Sequence, residues 1–126
     1  MGTCFDLFGI ECDKGWESLY LPIIKYIDEY NKTADEPIEI LQIKEKWGGL
    51  RIYTSYDTDE LHEMIRNAEN ESYHICEHCG SKEDVGLLGD GWYTTVCKKC
   101  AQELVNSSKR TRRFKLNGEI ISLNPE

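Results

Sequence analysis

Cys76-Glu77-His78-Cys79 and Cys97-Lys98-Lys99-Cys100 decide how this chain folds. Each is a C-x2-C pair, and seventeen residues lie between the two. That spacing matches a four-thiolate zinc site. Two thiolates two residues apart grip one ion from a single tight turn, and a hairpin brings back the second turn to complete a tetrahedron. Between the pairs, Val85-Gly86-Leu87-Leu88-Gly89-Asp90-Gly91-Trp92-Tyr93-Thr94-Thr95-Val96 reads as two short strands around a Gly-rich turn. After the second pair, Ala101-Gln102-Glu103-Leu104-Val105 opens a helix. Knuckle, hairpin and helix suggest a treble clef, with a zinc ribbon as the near alternative. One structural Zn²⁺ on Cys76, Cys79, Cys97 and Cys100 is therefore expected. Disulfides need an oxidising compartment, a redox C-x-x-C normally stands alone, and a catalytic zinc needs an open position that four thiolates do not leave. His78 is available but not needed. Cys4 and Cys12 fit no ligand spacing and read as bystander thiols among acidic neighbours.

The first pair also marks a change in charge. The chain has 126 residues and a formal net charge of −8. Residues 1–75 carry 16 acids and 7 bases, net −9, whereas residues 76–126 carry 7 acids and 8 bases, net +1. Two units are expected, 1–75 and 76–126. The acidic total argues against indiscriminate binding to DNA or anionic membrane. No apolar run approaches the roughly 18 residues of a membrane span. The start, Met1-Gly2-Thr3-Cys4-Phe5-Asp6, has no signal-peptide pattern, so a cytoplasmic location is expected.

Upstream, Trp16, Leu19, Tyr20, Ile23, Ile24, Ile27 and Tyr30 recur at helical spacing. Pro22 interrupts them, so one helical segment with a break is expected. Residues 37–56 are rich in β-branched and aromatic residues on both sides of Gly48-Gly49, which predicts a β-hairpin. Asp57 or Thr58 then caps a helix through about residue 72, with Leu61, Met64, Ile65 and Ala68 as its buried stripe. The first unit reads α-β-β-α. A C-terminal hairpin turning at Asn117-Gly118 follows the zinc module, so the whole is α+β.

Two hairpin registers are open. A Gly48-Gly49 turn pairs Lys46 with Arg51; a loop over residues 46–49 pairs Lys44 with Arg51. Both place Leu41, Ile43, Leu50 and Ile52 on the core face. Both place Gln42, Lys44, Lys46, Arg51, Tyr53 and Ser55 on the other. Like charges across a strand pair destabilise it. Acids from elsewhere, or solvation, offset that in one reading. In the other, the face takes an anion: Lys44, Lys46 and Arg51 supply charge, Gly48 and Gly49 admit backbone N–H contacts, and Trp47 or Tyr53 stacks on a base. The P-loop spacing is absent.

Glu11-Cys12-Asp13-Lys14-Gly15-Trp16 before a helix, then Lys44-Glu45-Lys46-Trp47-Gly48-Gly49-Leu50-Arg51-Ile52-Tyr53, a helix and Cys-x2-Cys-Gly together resemble one family. It comprises small proteins of phages, prophages and bacteria with a K-[FW]-G-G-L-R-[FIV]-Y signature. The resemblance covers roughly residues 11–100, and leaves out Pro22 and the tail after residue 108. It implies a phage or mobile-element setting, a host-cytoplasmic location and a C-terminal metal knuckle.

No Ser-His-Asp, paired-carboxylate or catalytic-metal constellation can be placed, and His62 and His74 have no partner pattern. The leading expectation is a non-catalytic binding protein, an accessory factor that occupies a host protein or takes a nucleotide-like anion on its hairpin, with a counter-defence role. The alternative is a nucleic-acid-binding zinc protein. Lys109, Arg110, Arg112, Arg113 and Lys115 crowd one short segment after the zinc helix. That segment reads otherwise as a surface strand balanced by the acidic first unit.

Overall fold

Two separate apolar clusters organise the chain, and each has its own sheet. The structure, a computed structural model, describes residues 10–89 and 93–126. Cys4, and Asp90, Gly91 and Trp92 of the expected hairpin, lie outside them.

The first sheet has the order β1-β2-β3, from β1 (Ile10–Glu11), β2 (Ile40–Lys46) and β3 (Gly49–Thr54). β1 runs parallel to β2, and β2 antiparallel to β3. Helices α1 (Glu17–Asn31) and α2 (Asp59–Ser72) cover one face. Their stripes meet Ile43, Leu50 and Ile52 around the fully buried Trp16, Ile27 and Leu61. The α1 stripe is buried as its spacing predicts, with Tyr30 half-buried at its end. Pro22 does not break the helix. It stands on the exposed side, beside an exposed Ser18 whose carbonyl loses its i+4 donor to proline but remains open to water. The irregularity comes earlier, where a 3-10 turn at Lys14–Trp16 passes into α1. Asn31 then ties the helix end to the next strand: its Oδ1 accepts from Ile38 N at 2.8 Å and its Nδ2 donates to Ile38 O at 2.9 Å. Thr58 caps α2, its hydroxyl accepting from Leu61 N at 3.0 Å.

The β2–β3 hairpin turns at Trp47-Gly48, neither at Gly48-Gly49 nor through a four-residue loop. Lys46 pairs with Gly49, Glu45 with Leu50, and Lys44 with Arg51. Of the two expected cross-strand pairs, only Lys44–Arg51 forms. Leu41 is also misplaced by simple alternation. The register shifts between Ile40 and Gln42, so Ile40 faces the core and Leu41 is 53% exposed. The free edge of β3 is not left bare, since Leu50 N donates to Ser72 Oγ at 2.9 Å and Ile52 N to Glu69 Oε2 at 3.0 Å.

The second sheet has the order β5-β4-β6-β7, all antiparallel. Its strands are β4 (Val85–Gly89), β5 (Thr94–Cys97), β6 (Arg112–Leu116) and β7 (Glu119–Leu123). Helix α3 (Lys98–Ser108) packs on its inner face against Leu88, Val96 and Phe114. Asn117-Gly118 turns the last hairpin, as its sequence predicts. Among the described residues no helix is long and apolar enough to cross a membrane.

Candidate metal centre and its surroundings

The first cysteine pair is shaped by backbone hydrogen bonds that close a knuckle. Cys76 N donates to Ser81 O at 2.8 Å, Gly80 N to Cys76 O at 2.9 Å, and Cys79 N to Cys76 Sγ at 3.4 Å. The second pair uses a strand end and a helix start. Cys97 closes β5 and caps α3, and its Sγ accepts from Cys100 N at 3.5 Å. Opposite Cys97 stands Val85, so the β4–β5 ladder sets where this turn meets the knuckle.

The four sulfurs lie within 4.8 Å of one another. Cys79 and Cys97 stand 3.7 Å apart. Sulfurs bound at about 2.3 Å around a tetrahedral ion are about 3.8 Å apart, so Cys79 and Cys97 have the spacing of two ligands of one such ion. They are far beyond the roughly 2.05 Å of a disulfide. Cys76, Cys97 and Cys100 are buried, and Cys79 is exposed. Burial pushes the Cys97 and Cys100 thiols up, while a hydrogen bond from the Ser81 backbone draws Cys79 down. A cation in their midst would favour the thiolates over the neutral thiols, so that loading would release protons. This cluster can hold a metal ion. His78 takes no part; its Nδ1 faces Asp13 Oδ2 at 3.5 Å.

Spacing did not reveal what braces the knuckle from behind. Gly15 N donates to Glu77 O at 2.7 Å, Asp13 N to Glu77 Oε2 at 3.1 Å, and Trp16 Nε1 to Ile75 O at 2.9 Å. Gly15 lies so close that a Cβ there would collide with the carbonyls of Cys76 and Glu77. Burial pushes Glu77 up to about 7, against the pull of the Asp13 N–H. The signal available was Gly15-Trp16 itself, within the motif that carries the family resemblance.

The hairpin face lies open. Lys44 is half-buried between Glu11 of β1 and Arg51 of β3, and sits over the Tyr53 ring at 5.9 Å from its centroid. Arg51 donates to Leu50 O at 2.8 Å and to Tyr73 Oη at 3.0 Å. Tyr73 is a further member of this face that the sequence did not indicate. None of Lys44, Lys46 and Arg51 has a carboxylate within 4.0 Å among the described residues. Gly48 N is held by Glu45 Oε2 at 2.7 Å, and its carbonyl accepts from the Thr95 hydroxyl. The hairpin tip thus seats on the second sheet. Trp47 is exposed, whereas Gly48 and Gly49 are buried.

The basic segment divides. Lys109 is the left-handed cap of α3, with φ 57°, and Arg110 follows it exposed. In β6 the residues alternate: Arg113 and Lys115 point out, while Arg112 turns inward, half-buried, with its Nε unpartnered among the described residues. Five clustered cations therefore do not form one patch, because a strand sends neighbours to opposite faces.

Comparison of the chain with protein-family models, curated proteins and solved structures finds no match.

Proposed function

We propose that this chain is a non-catalytic binding protein organised by one structural Zn²⁺. Cys76, Cys79, Cys97 and Cys100 hold the ion in a treble-clef-like module, with Cys100 in the first turn of α3. Four soft thiolates in a closed tetrahedral set suit zinc and leave no coordination site for substrate. The ion fixes the knuckle, and the knuckle and second sheet support the β2–β3 hairpin.

The hairpin carries the binding site, and its ligand is an anion. The observation behind this reading is that Lys44 and Arg51 stand opposite each other with Lys46 on the same face, and that among the described residues none of the three has a carboxylate within 4.0 Å, although Glu11 flanks Lys44 on β1 and the unit's net charge is −9. Such a face is the exception on an acidic surface, and an anion relieves the Lys44–Arg51 repulsion. The family resemblance suggests the setting, a phage or mobile-element accessory protein acting in the host cytoplasm, with a counter-defence role.

Native mass spectrometry of the purified chain tests this. One zinc per chain is expected, lost in Cys76→Ala, together with a retained anion lost in Arg51→Ala. A folded chain carrying neither metal nor anion would contradict the reading.

A further inference from the structure

Trp47 occupies a conformation that its chemistry disfavours. Trp47 and Gly48 form a two-residue hairpin turn with φ of 56° and 84°. Asn117 and Gly118 form the same turn with φ of 52° and 84°. Asn-Gly is the preferred pair for it, because left-handed backbone is cheap for those residues and strained for a bulky one. The indole gains little in return, being 67% exposed. Strain at an exposed aromatic, where the same chain solves the same turn with Asn, marks a residue kept for contact with something else.

Its neighbours indicate what that is. Tyr53, Tyr73 and Tyr93 are 40%, 39% and 42% exposed. Tyr73 covers Gly49, and Tyr93 reaches the turn at Gly48. Lys44 and Arg51 are interleaved with these rings. The cations also continue past the tip. Gly48 rests on Leu87, and Lys115 stands directly opposite Leu87 across the β4–β6 pair. Arg113, opposite Gly89, lies on the same exposed face. The hairpin face and the outward half of the basic strand therefore meet at the Trp47-Gly48 turn.

We propose that this joined surface binds single-stranded nucleic acid. The proposal rests on the anion-binding reading of the hairpin and names its ligand. Trp47 stacks on one unpaired base, and the backbone runs from Lys44 and Arg51 across the tip to Arg113 and Lys115. Alternating rings and cations on an open sheet suit a strand whose bases are splayed out. A duplex hides the base faces that Trp47 would stack on. A free nucleotide calls for a concave site, whereas these rings lie on the outer surface. An acidic peptide would use the cations and leave the strained indole unexplained. The acidic helices behind the first sheet repel phosphate and confine it to this side.

The test is fluorescence anisotropy of the zinc-loaded chain with a labelled oligothymidylate of about 20 nucleotides, across a salt series. Wild type is expected to bind, with affinity falling as salt rises. Trp47→Asn should weaken binding about tenfold or more while leaving the thermal midpoint unchanged or higher. Trp47→Phe should restore most of the loss. Arg113→Glu with Lys115→Glu should weaken binding and flatten the salt slope. The proposal is overturned if Trp47→Asn keeps full affinity, if a duplex or ATP binds as tightly as the oligothymidylate, or if nothing binds at low salt. Inorganic triphosphate separates the two levels. If it binds and Arg51→Ala abolishes that, while the oligothymidylate does not bind, the anion site stands and the nucleic-acid proposal falls. If neither binds, both fall.

Discussion

Gly15 shows how much one missing methyl group can hold together. Its bare Cα lets the segment before α1 press against the carbonyls of the knuckle formed by the first cysteine pair. Gly15→Ala must push that segment away, breaking the Glu77 hydrogen bond and disturbing Trp16. Overpacking of this kind costs about 1–3 kcal/mol, and the clash with rigid backbone places this case at the upper end. Urea denaturation of the variant against wild type measures it. Cys12, half-buried beside the same segment, gives a pH signature. Burial, with Glu77, Asp13 and Glu45 nearby, pushes its thiol from 9.0 up to about 12. Burial likewise pushes Tyr20 from 10.0 up to about 12. An acid whose folded value is raised ionises more readily when unfolded. The stability from these groups is therefore whole below about 9 and lost as pH climbs through about 12. Unfolding midpoints should fall across that alkaline window, and Cys12→Ala should remove part of the fall.

At the scale of elements, the hairpin shows what local pattern can and cannot convey. Its existence was legible, because β-branched runs around Gly-Gly have few other uses. Its turn was not. Two glycines suggest a Gly48-Gly49 turn, but Gly49 is needed for another purpose: the Tyr73 ring, from a residue just after α2, lies where its side chain would be. Gly48 meanwhile seats against Leu87 and Thr95 of the other sheet. Tertiary contact, invisible in the hairpin's own residues, moved the turn by one position. The bulge at Leu41 is a similar case, since strict alternation assigns Leu41 to the core and Ile40 to solvent. Ile40→Ala should therefore cost about 2–4 kcal/mol, whereas Leu41→Ala should cost well under 1 kcal/mol. Thermal denaturation of the two variants decides the register. The four-cysteine cluster was legible for the opposite reason, because each pair is a local turn and only the loop length between them had to be right. The α2 cap was local too; Thr58→Ala should cost about 1 kcal/mol in the same assay.

For the whole molecule, the knuckle is wedged between the two apolar cores. Glu77 takes the Gly15 N–H on one side and donates to Thr95 O on the other, while Thr95 reaches the hairpin tip at Gly48. Stripping the ion should therefore loosen more than the second sheet. With strong chelator, fluorescence of the buried Trp16 should report a lower unfolding midpoint, even though Trp16 belongs to the first core. Acidification should act in the same direction, since protonated thiols release the metal. If Trp16 keeps its midpoint in chelator, the two cores are energetically independent.

Those bonds also join residues far apart in the chain, 64 positions for Asp13 to Glu77 and 59 for Trp16 to Ile75. Closing such spans costs chain entropy before any contact repays it, so they form late on the folding path. During synthesis, the segment around Gly15 leaves the ribosome long before its acceptor does, and it must wait for residues 75–77. The second cysteine pair emerges later still. On the proposed metal binding, capture of the ion would be a closing step, one that would lock a seam already half assembled and slow its reopening.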